Sequence, residues 1–164
     1  MPEDIKIIEA DLSSPDHQRT IITMLDAYMR DPMEAGTPMP ESTKRELIPG
    51  LRAHPACYIF LAYRADTPVG VAVCFQGFST FNARPLINIH DIFVDSSMRG
   101  KGIGRKLLER IEAKARELNC CRLTLEVRED NQPARALYRK VGFDRALVGP
   151  NQIPMEFWRK PLPN

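Results

Sequence analysis

The sequence predicts one mixed α/β domain built around a single sheet, and three observations carry that reading. Apolar, β-rich runs alternate with helical stripes along the chain, and in its second half helices fall between strands. The 164 residues are 43% hydrophobic and 27% charged, which suits one globular domain with a real core and leaves little for a second. No internal repeat, low-complexity tract or interdomain linker interrupts the pattern, so the domain is expected to span residues 1–164.

Ile5–Ala10 alternates weakly, as a first strand would. Pro15 opens a helix in which Ile21, Ile22, Leu25 and Met29 share one face. Asp31–Glu41 holds three prolines and a glycine and breaks the pattern. A short helix is expected over Ser42–Leu51, with Ser42 or Thr43 as its cap. Tyr58–Tyr63 and Val69–Phe75 read as a hairpin turning at Asp66–Pro68, and a further strand runs over Leu86–Val94. Ile103, Leu107, Leu108, Ile111, Ala115 and Leu118 form a helical stripe that Asn119 ends. Leu123, Leu125 and Val127 alternate with polar residues as a strand does. Asn131 caps the next helix, Pro133 lies in its first turn, and Gly142-Phe143 closes it. Two last strands are expected near Phe143–Val148 and Ile153–Trp158.

Composition narrows the function. A net charge of +2, with Lys and Arg interleaved among Glu and Asp, argues against a nucleic-acid partner. No apolar run approaches the ~18 residues that span a bilayer, so no membrane partner is expected. MPEDIKIIEADL lacks the basic and apolar regions of a secretory signal. Cys57, Cys74, Cys120 and Cys121 show no metal-binding spacing and read as buried free thiols of a cytoplasmic protein.

The most informative segment is Asn88–Leu108, where a strand gives way to a loop with Gly100, Gly102 and Gly104 on alternate positions, followed by the long helix. Glycines let a backbone turn tightly and approach a ligand, and the first helical N–H groups sit at the positive end of the helix dipole. Together they suit a phosphate. The spacing matches neither the P-loop nor the dinucleotide fingerprint.

What fits is R-x-x-G-x-G at Arg99, Gly102 and Gly104, preceded by Val94-Asp95. It is followed by N-x-x-A-x-x-L-Y-x-x-x-G-F at Asn131, Ala134, Leu137, Tyr138, Gly142 and Phe143. On these motifs the chain resembles the GCN5-related N-acetyltransferase (GNAT) superfamily, most firmly over Ile87–Phe143. The resemblance implies a twisted, mostly antiparallel sheet of about seven strands with a splayed central pair, flanked by about four helices. It also implies acetyl-CoA as acyl donor, an amine acceptor, no metal and a homodimer.

By the same resemblance, backbone groups of Ile92, Phe93 and Val94 pair with the pantetheine arm, as an added strand would. The pyrophosphate rests on the amides of Arg99, Gly100, Lys101, Gly102, Ile103 and Gly104, extending to Arg105. Asn131 contacts the cofactor and Ala134 leaves room for the arm. Tyr138 matches the tyrosine that protonates the departing CoA thiolate; by spacing alone it reads as a core aromatic. A phenol with an ordinary pKa near ~10 is protonated at neutral pH and can act as an acid.

The reaction needs a neutral amine. An alkylamine of pKa ~10.4 is less than about 0.1% neutral at pH 7, a deficit of roughly 4–5 kcal/mol. Strand alternation places His90 with Ile92 and Val94, opposite Asp91 and Phe93. His90 is the natural candidate base, because imidazole titrates near neutrality, or else a histidine bonded within the sheet. Asp91 either orients a cationic acceptor or is structural. Glu126 is a weaker candidate, and His17 and His54 lie outside the motifs. The string from His90 to Gly104 looks most like the diamine and polyamine branch, which commonly has Glu-Asp where this chain has His90-Asp91. Asp31, Glu34 and Glu41 either attract a polycation or are solvated. Phe75, Phe78 and Phe81 are either a substrate wall or a core or dimer contact. Two other functions fit the same motifs: acetylation of a protein or peptide, and a CoA-binding sensor without catalysis.

Overall fold

Long apolar runs joined by short turns pair with their sequence neighbours, and here they build an antiparallel meander. The computed structural model describes residues 4–163, so residues 1–3 and 164, the ends of the expected domain, lie outside it. Strands β1 (Ile5–Glu9), β2 (Cys57–Arg64), β3 (Thr67–Ser79) and β4 (Arg84–Val94) pair antiparallel in that order. Strand β5 (Leu123–Leu125) then adds to β4 in parallel. A parallel partner needs a crossover, and helix α3 (Ile103–Glu117) supplies it. Helices α1 (Pro15–Arg30) and α2 (Glu41–Ala53) fill the connection from β1 to β2.

Chain contacts divide the protein into two compact units, Met1–Leu125 and Glu126–Asn164. The second holds helix α4 (Gln132–Lys140) and a two-residue ladder of β6 (Leu147–Val148) with β7 (Ile153–Pro154). Among the described residues the strands number seven, but the expected sheet of about seven holds five, and the other two pair only with each other. Leu147, Val148, Ile153, Met155, Phe157 and Trp158 are all exposed.

Each face of the five-stranded sheet has its own core. Ile59, Leu61, Val71, Val73 and Phe93 pack with Ile21, Met24 and Leu25 of α1 and Ile48 and Leu51 of α2. The opposite face carries Phe60, Ala72, Cys74, Ile87 and Ile89, all buried. There α3 buries Ile103, Leu107, Leu108, Ile111 and Ala115, five residues of the predicted stripe, while Leu118, its C-cap, is half-buried. Burying each such side chain is worth about 1.5–3 kcal/mol, which makes that stripe the main reason α3 stays on the sheet. Gly70 permits the close approach: a Cβ there would lie 3.0 Å from the Phe93 carbonyl oxygen and 3.4 Å from Leu107 Cδ1.

Local signals set most boundaries. Ser14 caps α1 by accepting from the His17 amide, with Pro15 in the first turn. Asn119 takes φ +56° after α3, and its amide and that of Cys120 bond back to the Arg116 and Ala115 carbonyls. Two expectations need correction. The β2–β3 turn falls at Ala65-Asp66, where Ala65 has φ +51°. Helix α2 begins a residue early behind Pro40, with no side-chain cap, so neither Ser42 nor Thr43 serves.

Candidate active site

The strand that leads into the glycine loop is irregular at one residue. Asp91 pairs with Val73 and Ile89 with Cys74, so the register slips and His90 is the extra residue of a β-bulge. The bulge overturns the expected alternation. Asp91 and Phe93 do share a face, that of Val73, Val71 and α1, and Ile92 and Val94 take the α3 face opposite Ala72 and Gly70. His90 leaves the Ile92 side: its ring meets Phe75, a wall of the α1–α2 core, edge-on at 5.5 Å. The exposed imidazole therefore stands on the same side as half-buried Asp91. Asp91 also adds to the burial that raises the Cys74 thiol far above its ordinary value.

The ladder sets which backbone groups of β4 are open. Asp95 N–H donates to the Val69 carbonyl at 2.9 Å, which makes residues 69 and 95 a hydrogen-bonded pair. Two residues earlier, Phe93 and Val71 are the next such pair, so the Phe93 amide and carbonyl are used by β3. Those of Ile92 and Val94 point away from β3. On that side β4 pairs with β5 only over Ile87–Ile89, so the two strands separate just before the bulge. The Val94 carbonyl there accepts from Arg99 Nε at 3.0 Å.

Beyond Val94, Asp95 holds a 3-10 turn over Ser96–Met98 by accepting from the Ser97 amide and hydroxyl. Gly100 and Gly102 follow at φ +77° and +82°, and a Cβ on either would meet nothing within 4 Å. These are left-handed positions that favour glycine, and both face open space. Gly104 is an ordinary first-turn helical residue. Gly102 is the N-cap of α3, with no side-chain cap and no acid in the first turn, and the first helical bond runs from Lys106 N–H to the Gly102 carbonyl. The amides of Ile103, Gly104 and Arg105 precede that bond, at the positive end of the helix.

Arg99 braces this loop. Its guanidinium donates to Asp31 Oδ2 at 2.6 Å and lies over the Phe93 ring at 5.7 Å. Asp31, the C-cap of α1, also accepts from the Met33 amide. The Arg99 bond, then the Met33 bond, hold its carboxyl below the usual range against the opposing effect of burial. Asp31 is thus engaged within the protein by Arg99 and Met33. Glu34 accepts from the Tyr28 hydroxyl, Glu41 pairs with Lys44, and Asp26 accepts from the Met39 amide and Arg30.

Asn131, Ala134 and Tyr138 lie in the second unit, one turn apart along α4. Asn131 caps the helix by accepting from the Ala134 amide at 3.3 Å. Gly142, at φ +99°, and Phe143 close it with bonds to the Arg139 and Tyr138 carbonyls, and the Phe143 ring lies 5.9 Å from that of Tyr138. Tyr138 is buried, and burial pushes its phenol up to about 12. Glu126, which begins this unit, is exposed.

Sequence reasoning missed His54. It is the C-cap of α2, its ring lies 4.7 Å from Phe75, and with Leu47, Gly50 and Leu51 it borders a hollow of about 530 Å³. No motif marks it, because its place depends on α2 docking beside β3. The three phenylalanines also separate: Phe75 packs on the core, whereas Phe78 and Phe81 are exposed near the β3–β4 turn. The four cysteines are free, but only Cys74 is buried. Among the described residues no helix is long and apolar enough to cross a membrane, and no cluster of His, Cys, Asp and Glu has metal-site geometry.

Residues 21–143, more than half of the chain, match the sequence model of the Acetyltransferase (GNAT) family. The chain is 37% identical over 116 residues to an IAA acetyltransferase of Azospirillum brasilense, covering 67% of this chain and 71% of that one. It is 42% identical over 78 residues to the N-alpha-acetyltransferase RimI of Mycobacterium tuberculosis, covering 46% and 48%. A possible acetyltransferase from Clostridium difficile 630 shares the fold at a TM-score of 0.78 and 17% identity, over 98% of this chain and 99% of that one. Across three of the curated relatives it matches, the chain spans only 26%, 39% and 48% of their lengths.

Proposed function

The chain belongs to the GNAT acetyltransferase family, and on that premise we propose that it is an acetyl-CoA-dependent N-acetyltransferase acting on a primary amine of a small molecule, within one catalytic domain. The observation that carries the reading is the separation of β4 from β5 beyond Ile89, with the Ile92 and Val94 backbones turned toward the gap and the glycine loop at its end. An extended pantetheine arm can add to such a gap as a strand does. The pyrophosphate fits the loop because Gly100 and Gly102 leave no Cβ in its way and the first turn of α3 carries no competing carboxylate.

In the proposed reaction the amine nitrogen attacks the thioester carbonyl directly. The new N–C bond forms as the C–S bond breaks, His90 accepts the proton the amine loses, and the leaving thiolate takes a proton in the role that the motif match gives to Tyr138, which regains its own from solvent. The Tyr138 phenol is protonated throughout the physiological range, so the proton is present to be given, and burial, which pushes it up to about 12, makes it a weaker acid than a free phenol. His90 stands at the point where the strands diverge, its imidazole exposed beside Phe75.

The test is thiol release from acetyl-CoA with a panel of amines, alongside Tyr138→Phe and His90→Ala. Tyr138→Phe should lower kcat about 10²-fold with acetyl-CoA affinity nearly unchanged. His90→Ala should lower kcat/KM for the amine and regain activity with added imidazole. Full turnover in Tyr138→Phe would remove its role as the acid. Tight acetyl-CoA binding without turnover of any amine would replace the enzyme with a CoA sensor.

A further inference from the structure

We infer that the acceptor is a monoamine with an apolar flank, an arylalkylamine or branched alkylamine, whose flank fills the hollow between α2 and Phe75. This rests on the transferase reading above and names its substrate class. Leu47, Gly50 and Leu51 of α2 and Phe75 of β3 form the apolar part of the hollow, with His54 and Glu46 among its polar lining. The hollow, about 530 Å³, is a broad depression open to solvent on one side, and its mostly apolar lining with a few polar groups has the character of a small-molecule site. The Phe75 ring has His54 at 4.7 Å and His90 at 5.5 Å, so one aromatic ring links the hollow to the histidine at the bulge. An occupant lying along that ring has its apolar part against α2 and its nitrogen at His90.

Charge decides between this class and a polycation. Each ammonium group moved out of water needs a compensating partner, and a polyamine or aminoglycoside brings several. Among the described residues, Glu46 is the one carboxylate lining the hollow. The neighbouring acids of the α1–α2 connection are engaged within the protein: Asp31 by Arg99, Glu34 by Tyr28, Glu41 by Lys44, and Asp26 by Met39 and Arg30. Asp91 beside His90 and Glu46 in the lining offer at most two further carboxylates, so a monoamine finds its partner there, whereas each additional ammonium of a polycation would have to displace one of the pairs above.

Gly50 offers a direct test. Gly50 lines the hollow, follows Pro49 within the helix, and has nothing within 4 Å of where a Cβ would lie, so Gly50→Leu adds a side chain at the hollow without a clash. Thiol release is measured with 2-phenylethylamine and with spermidine, in the parent protein and in Gly50→Leu, with thermal melting alongside. The expected result is a higher kcat/KM for 2-phenylethylamine than for spermidine. Gly50→Leu should lower the former at least tenfold through KM, with the acetyl-CoA KM and the melting temperature held. Preferred turnover of spermidine, or a phenylethylamine KM indifferent to Gly50→Leu, would overturn the inference and leave the transferase standing. Acetyl-CoA binding with neither these nor any other amine turned over would remove the transferase and the inference together.

Discussion

Replacing Asp31 with Asn removes one charge from the brace between α1 and the glycine loop while keeping the side chain's shape. The amide oxygen can still accept from the Met33 amide, so the change isolates the Arg99 interaction. A hydrogen bond to a charged group contributes about 1.5–3 kcal/mol, but the Arg99 side chain is 48% exposed against 11% for Asp31, so water screens some of it. We expect a loss of about 1 kcal/mol, read as a lower urea midpoint at unchanged slope. The pH dependence fixes the cause. Arg99 holds the folded-state pKa of Asp31 below its unfolded value, so the stabilisation is full above the unfolded value of 3.8 and is lost as pH falls through the lower, folded one. The gap between parent and Asp31→Asn should therefore be constant from pH 7 to 5 and close progressively below about pH 4. Acetyl-CoA KM should rise several-fold with kcat little changed, because Arg99 also bonds the Val94 carbonyl at the head of the loop. Equal midpoints at pH 7 would refute the brace. A gap that stayed constant to the lowest pH at which both proteins remain folded would refute its electrostatic origin.

Gly102→Ala places a methyl group in open space at φ +82°, so its stability cost is conformational, about 1–2 kcal/mol, and thermal melting should show the protein still folded. Its acetyl-CoA KM should rise at least tenfold, since the methyl projects where a pyrophosphate would lie; an unchanged KM would move the donor site elsewhere. Gly70→Ala acts on the fold instead. Its Cβ at 3.0 Å from the Phe93 carbonyl oxygen and 3.4 Å from Leu107 should lower the urea midpoint by the equivalent of about 1–3 kcal/mol, and a raised midpoint would show that α3 can retreat from the sheet.

What could be read in advance was local. Gly102, Asn119 and Gly142 are each set by a backbone angle at one residue, and the α3 stripe by spacing within one helix, so each is visible in a short window of sequence. The bulge at His90 is a property of two strands at once. Nothing in Asn88–Val94 alone shows that Val73-Cys74 takes up three residues of β4, so alternation read from the sequence runs straight through His90 and puts its side chain on the wrong face. The Asp31–Arg99 brace joins charges 68 residues apart. The runs Phe143–Val148 and Ile153–Trp158 have strand-like composition, but composition names no partner, and only four of their residues form a ladder.

One extra residue in β4 also explains how a single strand serves two cores. Ile87 and Ile89 share the face of Cys74 and Gln76, and both are buried on the side that α3 covers. Strict alternation would carry Asp91 and Phe93 to that same side. It would place a carboxylate beneath α3 and withdraw Phe93 from Tyr28, on which it stacks at 5.5 Å, and from the Arg99 guanidinium. The bulge inverts the pattern at the point where pairing with β5 has just ended, so the inversion interrupts the ladder with β3 and no other. Phe93 then enters the α1–α2 core, Ile92 and Val94 turn toward α3, and His90 is left with no residue opposite it. The geometry that completes both cores is therefore the geometry that leaves the His90 imidazole exposed at the end of the β4–β5 ladder, against the edge of Phe75.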